Sequence, residues 1–364
     1  MIKRSAEPYI ATYLHQKAYH QGKPIAANFE LTARCNFSCP MCYVHQKGQQ
    51  TAQRELTAQQ WLSLGRQMRD EGVLFVLLTG GEPFIRPDFF EIYQGLKAMG
   101  MMISINSNGS LLQGNVLEQL LEDPPFRINI SLYGGSNDTY QRMCGVAAYD
   151  SVKDNIRKLK QAGVDVSLNL SITPYNKDDL SLIYQDAVEL GVNVRASSYM
   201  YPPVRLDGVF GCGNRLDPKE AAACGLQWDR LRMGEAFPKR AEELLRLAKE
   251  EKEGCGVELG QGVSCRAGST SCWVTWDGKM MPCGMMTMPV VYPLQQGFAD
   301  AWQELRKKTA EIRLPGKCSV CPNRELCSVC AAVCLTETGH FDGVPDYVCQ
   351  KTAEYVRLLQ EDRV

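Results

Sequence analysis

No run of this 364-residue sequence is apolar for long enough to cross a bilayer. The longest, such as Val73 to Leu78, fall far short of the ~20 residues a spanning helix needs. The opening Met-Ile-Lys-Arg-Ser-Ala-Glu lacks an apolar signal core. A basic surplus is missing too: 40 Lys and Arg stand against 41 Asp and Glu, so no charge field favours nucleic acid. These absences predict a cytosolic protein that engages neither membrane nor nucleic acid. What the chain has in quantity is cysteine, 16 in all. That number marks a disulfide scaffold in a short secreted chain. In a long, leaderless chain that is 45% hydrophobic, metal binding is the better account.

The cysteines are not spread evenly. Three lie in Cys35-Asn-Phe-Ser-Cys39-Pro-Met-Cys42, ten lie between Cys255 and Cys349, and Cys144, Cys212 and Cys224 fall between the groups. Three thiolates at 35, 39 and 42 can close on a four-iron cube without completing it, and the open iron would make the centre reactive instead of structural. Zinc would need a fourth ligand nearby, for which His45 is the candidate. A disulfide pair is a further reading.

Taken in order, the chain alternates. Residues 25 to 31 read as a first strand running into the cysteine loop, and Thr57 caps a helix to Asp70 with Trp61, Leu62, Leu64 and Met68 on one side. Val73 to Leu78 reads as a strand buried on both faces, ending in Gly80-Gly81-Glu82-Pro83. Helices over 89–99, 111–121, 149–162 and 178–190 then alternate with strands over 101–107, 126–132, 164–172 and 192–197. Six such units imply parallel strands and an α/β fold. Polar residues recur at the strand ends, among them Thr79, Ser107, Asn108, Ser131, Asn169 and Arg195, on the rim where parallel barrels place their sites. Arg195 interrupts an apolar strand and would need a partner if buried. Residues 198–254 break the alternation. The Tyr199-Met-Tyr-Pro-Pro203 run should lie at the open rim, and helix is expected over 217–252 with a break at 234–238.

The C-x3-C-x2-C spacing, with Gly-Gly-Glu-Pro about forty residues on, resembles the radical S-adenosylmethionine (SAM) enzymes. Met41 stands where that family usually has an aromatic. The resemblance implies a partial (β/α)6 TIM-like barrel. It also implies a [4Fe-4S] cluster on Cys35, Cys39 and Cys42 that reduces SAM to methionine and a hydrogen-abstracting 5′-deoxyadenosyl radical. It assigns Gly80, Gly81, Glu82 and Pro83 to the turn that takes the SAM amino group. Ser107 and Asn108 go to the ribose region, and Ser131 with Arg142 to the carboxylate, for which a guanidinium offers a two-pronged fork. Arg195 joins this cofactor-binding set.

The later spacings, Cys265-x6-Cys272-x10-Cys283 and Cys318-x2-Cys321-x5-Cys327-x2-Cys330-x3-Cys334 with Cys349, resemble the SPASM extension of radical SAM enzymes that act on peptides. That implies a small cysteine-rich C-terminal domain with two auxiliary [4Fe-4S] clusters. One would be held by Cys265, Cys272, Cys283 and Cys330, with Cys334 competing for the last place, and the other by Cys318, Cys321, Cys327 and Cys349. The expected division is an N-terminal extension over 1–24, the barrel over 25–200, a bridge over 201–254 and the SPASM domain over 255–364. Cys212 and Cys224, if near a substrate radical, could return a hydrogen atom, as family epimerases do.

The function this predicts is modification of a ribosomally made peptide by a thioether or carbon cross-link or by epimerisation. Such an enzyme needs an electron donor such as flavodoxin or ferredoxin. With the first strand starting by about residue 25, a leader peptide would be read by the rim, the extension or a separate leader-binding protein. The nearest alternative, an anaerobic sulfatase-maturing enzyme, would carry an aspartate base right after the third cysteine of the first SPASM group, where this chain has Gly284. A small-molecule dehydrogenase and a non-catalytic electron-transfer or scaffold protein are the remaining alternatives.

Overall fold

In the computed structural model, residues 7–44, 54–204, 214–249 and 261–361 are described. His45, Cys212 and Cys255 lie outside them. In chain order the elements are α1 (Glu7–Gln21), β1 (Ala26–Glu30), α2 (Ala58–Asp70), β2 (Phe75–Thr79), α3 (Phe89–Ala98), β3 (Met102–Ser107), α4 (Gly114–Glu122) and β4 (Arg127–Ser131). There follow α5 (Asn137–Cys144), α6 (Tyr149–Gln161), β5 (Val166–Ser171), α7 (Leu180–Leu190), β6 (Asn193–Ser197), α8 (Pro218–Met233) and α9 (Phe237–Lys249). The C-terminal part adds β7 (Ser271–Val274), β8 (Met280–Met281), α10 (Pro293–Gln296), α11 (Phe298–Ala310), α12 (Gly316–Ser319), α13 (Ala331–Thr338) and α14 (Asp346–Glu361). Each of the six strands β1 to β6 is followed by a helix, so the fold is the α/β one that the alternation predicts, consistent with the partial TIM-like barrel that the resemblance implies.

The chain divides into two compact units that do not follow sequence order. One holds residues 1–34, 47–106 and 263–312, the other 35–46, 107–262 and 313–364. In the first, β1 pairs in parallel with β2, and β2 with β3. The other neighbour of β1 comes from the cysteine-rich region: β7 runs parallel to it, Ala26 opposite Ser271, and β8 turns back against β7. This hairpin was not foreseen in the sequence. It is short, with four residues in β7 and two in β8, so alternation has no length in which to show.

Helix α2 begins as expected. Thr57 accepts from the Gln60 amide while the Gln60 side chain accepts from the Thr57 amide, a reciprocal cap. Trp61 and Leu64 are fully buried, and the Trp61 ring lies 4.7 Å from Phe29 of β1. Strand alternation then sends Glu30, the next residue, to the opposite side. In β2 the expected burial of both faces is only half met: Val76 and Leu78 are buried, but Phe75 and Leu77 are intermediate. A strand in a partial barrel has helices behind it and an incompletely filled interior in front.

In the second unit β4, β5 and β6 are parallel. Ile128, Ile130, Val166 and Leu168 form the buried face. The alternate positions align in register as Asn129, Ser167 and Asn193, then Ser131, Asn169 and Arg195. Helix α5, absent from the sequence expectation, has both punctuation marks: Ser136 caps it through the Thr139 amide, and Gly145 ends it at φ 79°. A cross-brace ties the exit of β6 to the C-terminal helices. Arg215 makes a fork to Glu337 of α13 at 2.7 and 3.2 Å, and Tyr199 donates to the same carboxylate at 2.7 Å. The guanidinium also lies 4.1 Å above the Tyr347 ring.

The first unit contains one titration that should show in stability. His15 of α1 shares a hydrogen bond with Thr270 Oγ1 at 2.8 Å, and burial, then Arg266, lowers its pKa to about 4. A group neutral in the folded chain is protonated first in the unfolded one, near pH ~6.5. Stability should therefore be full above pH ~6.5 and fall as pH drops from there toward 4. Urea midpoints measured at pH 7 and pH 5 should drop less in His15→Gln than in the parent; equal drops would assign the effect elsewhere.

Candidate radical SAM site

The segment that delivers Cys35 is fixed by buried charge. The Arg86 side chain is only 4% exposed, and donates to the carbonyl oxygens of Leu31 at 2.8 Å and Leu56 at 2.9 Å while forking onto Asp88 at 2.9 and 2.7 Å. It also lies 3.5 Å from Glu55. Glu55 in turn receives both Nε and Nη2 of Arg34, at 3.0 and 2.9 Å, together with the Thr32 hydroxyl. Each charge is paired and hydrogen-bonded, the condition under which buried ions are tolerated. None of these residues was singled out in the sequence. Isolated Arg and Glu carry no spacing signal, though Arg86 follows the glycine turn by only three residues.

The Gly-Gly-Glu turn leans on the same segment. The Gly81 amide donates to Thr32 O at 2.8 Å and the Glu82 amide to Arg34 O at 2.9 Å. A Cβ on Gly81 would sit 2.2 Å from Arg34 O, so this approach requires glycine. Glu82 is fully buried and accepts from the Phe84 amide, with Pro83 opening the short helical turn that follows. The turn is thus moored to the residues leading directly into Cys35.

In the second unit, Cys35, Cys39 and Cys42 share one loop and are each half-exposed. Among the described residues, no three Cys, His, Asp or Glu side chains are closed around a common point as they stand. The donors around the loop suit an anionic sulfur cluster. The Phe37 amide donates to Cys35 Sγ at 3.4 Å, and Asn108 Nδ2 reaches it at 3.7 Å. Asn108 also bonds Asn36 Oδ1 at 2.8 Å and accepts from Ser110, so its side chain is engaged with the loop and its own turn. Asn214 donates to Pro40 O at 3.1 Å, and the Ser38 amide to Cys144 O at 2.9 Å. The neighbouring Cys144 side chain, and then burial, push the Cys39 thiol well above the ordinary cysteine range.

The other expected cofactor residues take varied positions. Ser107 is buried and accepts from the Gly109 amide. The Tyr133 phenol is pushed well up, chiefly by burial, and lies within electrostatic reach of the cysteine loop, which the sequence did not disclose. Arg142 is exposed on α5 and touches Thr139 Oγ1 at 3.3 Å. Arg195 is also exposed, in register with Asn169, so the partner expected for a buried arginine is not required. Cys224 is buried on α8, where burial raises its thiol and Lys177 lies within electrostatic reach.

Of the C-terminal thiols, Cys318, Cys321, Cys327 and Cys349 interact electrostatically with one another inside one unit. Cys265, Cys272 and Cys283 belong to the first unit and Cys330 to the second. Cys272 is fully buried, which pushes its thiol up to about 12. Cys330 is half-exposed 3.8 Å from Tyr201 Oη, whereas Cys334 is wholly buried in α13.

With this arrangement in hand, residues 29–187 match the Radical SAM superfamily. The chain carries a radical SAM domain. It is 25% identical over 332 residues to the AdoMet-dependent heme synthase of Methanosarcina barkeri, covering 86% of this chain and 93% of that protein. It is 35% identical over 175 residues to the probable GTP 3′,8-cyclase of Saccharolobus solfataricus, but covers 47% of this chain and only 56% of that one. Among solved structures, Streptococcus suis SuiB bound to S-adenosylmethionine superposes with TM-score 0.66 at 18% identity, over 96% of this chain and 84% of SuiB. Native anSMEcpe with bound AdoMet gives 0.68 at 15%, over 93% and 98%. At such identities the likeness is one of fold. The radical SAM family implies a [4Fe-4S] cluster and SAM, and the loop thiols with their donors fit the former.

Two substitutions test the site. Arg86→Met leaves two carbonyls and the Asp88 carboxylate without their cation, and should cost ~3–5 kcal/mol in urea unfolding of the iron-free chain; a loss below ~1 kcal/mol would show the clamp to be dispensable. Gly81→Ala should weaken SAM binding about tenfold, ~1.4 kcal/mol, in equilibrium dialysis against the reconstituted protein, and unchanged binding would remove the turn from the SAM site.

Proposed function

We propose that the chain is a peptide-modifying radical SAM enzyme that installs a cross-link or inverts a stereocentre in a ribosomally made peptide. The observation that carries this reading lies outside the barrel. The likeness to SuiB and anSMEcpe extends over nearly the whole chain, cysteine-rich C-terminal part included, and structures of both hold peptides: SuiB with precursor peptide SuiA, anSMEcpe with the Cp18Cys peptide. Cys318, Cys321, Cys327 and Cys349 lie within electrostatic reach of one another, and Cys334 within reach of Cys318, Cys327 and Cys330, a gathering of thiols that suits an all-cysteine auxiliary cluster.

When bound, the cluster and SAM supply a carbon radical that takes a hydrogen atom from the substrate. The protein's part is to hold and exclude. Gly80 to Pro83 would hold the methionyl amino group, and Arg142 would offer its exposed fork to the carboxylate. Ser131, Asn169 and Arg195, in one register row, present polar groups from three strand ends. Beside β6 a cavity of 510 Å³ is lined by Tyr199, Tyr201, Trp228, Lys351 and Tyr355 among others, a suitable size and polarity for peptide side chains.

Gly284 weighs against sulfatase maturation. A Cβ there would lie 2.8 Å from the Trp273 ring, and that indole is held in place by donation from Nε1 to Glu30 Oε2 at 2.9 Å. No aspartate side chain fits at this position. A second reading, action on a small molecule, is favoured by the heme synthase relative, which aligns along 93% of its own length.

Anaerobic incubation of the reconstituted enzyme with SAM, reductant and a peptide encoded beside its gene should yield 5′-deoxyadenosine. The peptide should lose two hydrogens for a cross-link, or keep its mass in water and gain one deuterium in heavy water for an epimer. SAM cleavage stimulated by a tetrapyrrole and not by the peptide would favour the second reading. No 5′-deoxyadenosine above background would leave a scaffold protein.

A further inference from the structure

None of the expected cofactor residues or cluster cysteines lines the cavity beside β6, and its walls belong wholly to the second unit. Strand alternation accounts for the separation. Ala196 lines the cavity, so Arg195, the residue before it in β6, is turned to the other face of the sheet.

What the cavity offers is donors. Ser198 is 6% exposed and Trp228 5%, and neither makes a hydrogen bond with any described residue. Buried polar groups are nearly always bonded, so two of them on the wall of one cavity mark a place where a ligand supplies the acceptor. An indole N–H can only donate. Half-buried Lys351 adds an ammonium, also donor-only, that forms neither a hydrogen bond nor a salt bridge among the described residues. Asp229 lies within its electrostatic reach, but that carboxylate already receives Arg232 at 3.2 Å and the Tyr355 hydroxyl at 2.8 Å. Arg240 is paired with Glu243 at 2.6 Å, and the exposed Glu325 has a partner of its own. Cys327 is the other group within reach of Lys351, so a cluster there is a rival claim on the ammonium. Donor-only groups around such a cation select an anionic acceptor, and a carboxylate has two oxygens to share among them.

A second feature favours a carboxylate carried on a peptide. Among the described residues β6 has a strand neighbour on one side only. The Ser197 carbonyl accepts from the Ile172 amide at 2.8 Å, on the β5 side, so the main-chain groups of Ala196 turn to the open edge. An edge of this kind pairs with an extended chain.

We propose that this cavity binds an acidic side chain of the substrate peptide, remote from the reacting residue. Lys351, Trp228 and Ser198 donate to its carboxylate, and the outer edge of β6 meets its main chain. The inference rests on the peptide-modifying reading above and names a group that the peptide carries.

The test is isothermal titration calorimetry of the reconstituted full-length protein with acetyl-Ala-Glu-Ala-amide, its glutamine twin acetyl-Ala-Gln-Ala-amide, and glutarate. The glutamyl peptide should bind saturably, and the twin and glutarate about tenfold more weakly. Lys351→Met should weaken the glutamyl peptide about tenfold and leave the twin unchanged. Trp228→Phe, which keeps a ring and loses the N–H, should weaken it about threefold. Iron content and circular dichroism show whether each variant is intact, and if Lys351→Met is not, Trp228→Phe decides alone. Absence of saturable heat, equal binding of the two peptides, or parent-like affinity in the intact variants overturns the inference and leaves Lys351 to the cluster. Glutarate binding as tightly as the glutamyl peptide overturns the peptide as occupant in favour of a small carboxylate. Each of these failures is compatible with continued peptide modification, whereas loss of peptide-dependent 5′-deoxyadenosine formation fails the proposed function itself.

Discussion

A single buried guanidinium sets the geometry from which the site follows. Arg86 satisfies the carbonyls of Leu31 and Leu56, which end one strand and precede one helix, and it shares Glu55 with Arg34. Strand ends leave backbone groups unpaired, and a protein loop that must hold a metal cluster cannot be allowed to search for partners. By meeting those carbonyls with a charge that is itself fully paired, the chain converts a flexible exit from β1 into a fixed launching point for Cys35. The Gly-Gly-Glu turn then rests on Thr32 and Arg34 of the same exit segment.

The interior of the second unit follows from strand alternation. Isoleucine, valine and leucine in β4 and β5 face one way and are buried, which leaves Asn129, Ser131, Ser167 and Asn169 to face the other. A complete eight-stranded barrel fills its centre with branched side chains. Here the centre is lined by serine, asparagine and arginine, residues suited to holding a polar cofactor and costly to bury without one. Arg195 is exposed because β6 is the edge strand of the sheet.

What the sequence disclosed, and what it did not, divides by the range of the interaction. The three-cysteine loop, the glycine turn, the Thr57 cap and the six alternations are local patterns with a fixed period or spacing, and they were legible. The Arg34, Glu55 and Arg86 cluster joins segments 21 to 52 positions apart with no repeating interval, so pairing of these charges could not be read. Helix α5 was legible in principle: Ser136 and Gly145 mark its ends, but its eight residues are too few for periodicity to stand out. The β7 and β8 hairpin was concealed because cysteine spacing dominated that stretch. Tyr133 and Cys144 reach the cysteine loop only through tertiary packing, which no spacing encodes.

Trp273 over Gly284 has a consequence for how this enzyme could change its trade. Its indole fills the ground where a side chain at 284 would stand, and Glu30 secures it from beneath. Evolution or an engineer seeking an acid–base group there would have to remove the indole first, and that step would take a hydrogen-bond donor from the buried Glu30 carboxylate before any new chemistry repaid the loss. Such two-step valleys keep neighbouring activities apart even when the surrounding barrel is shared.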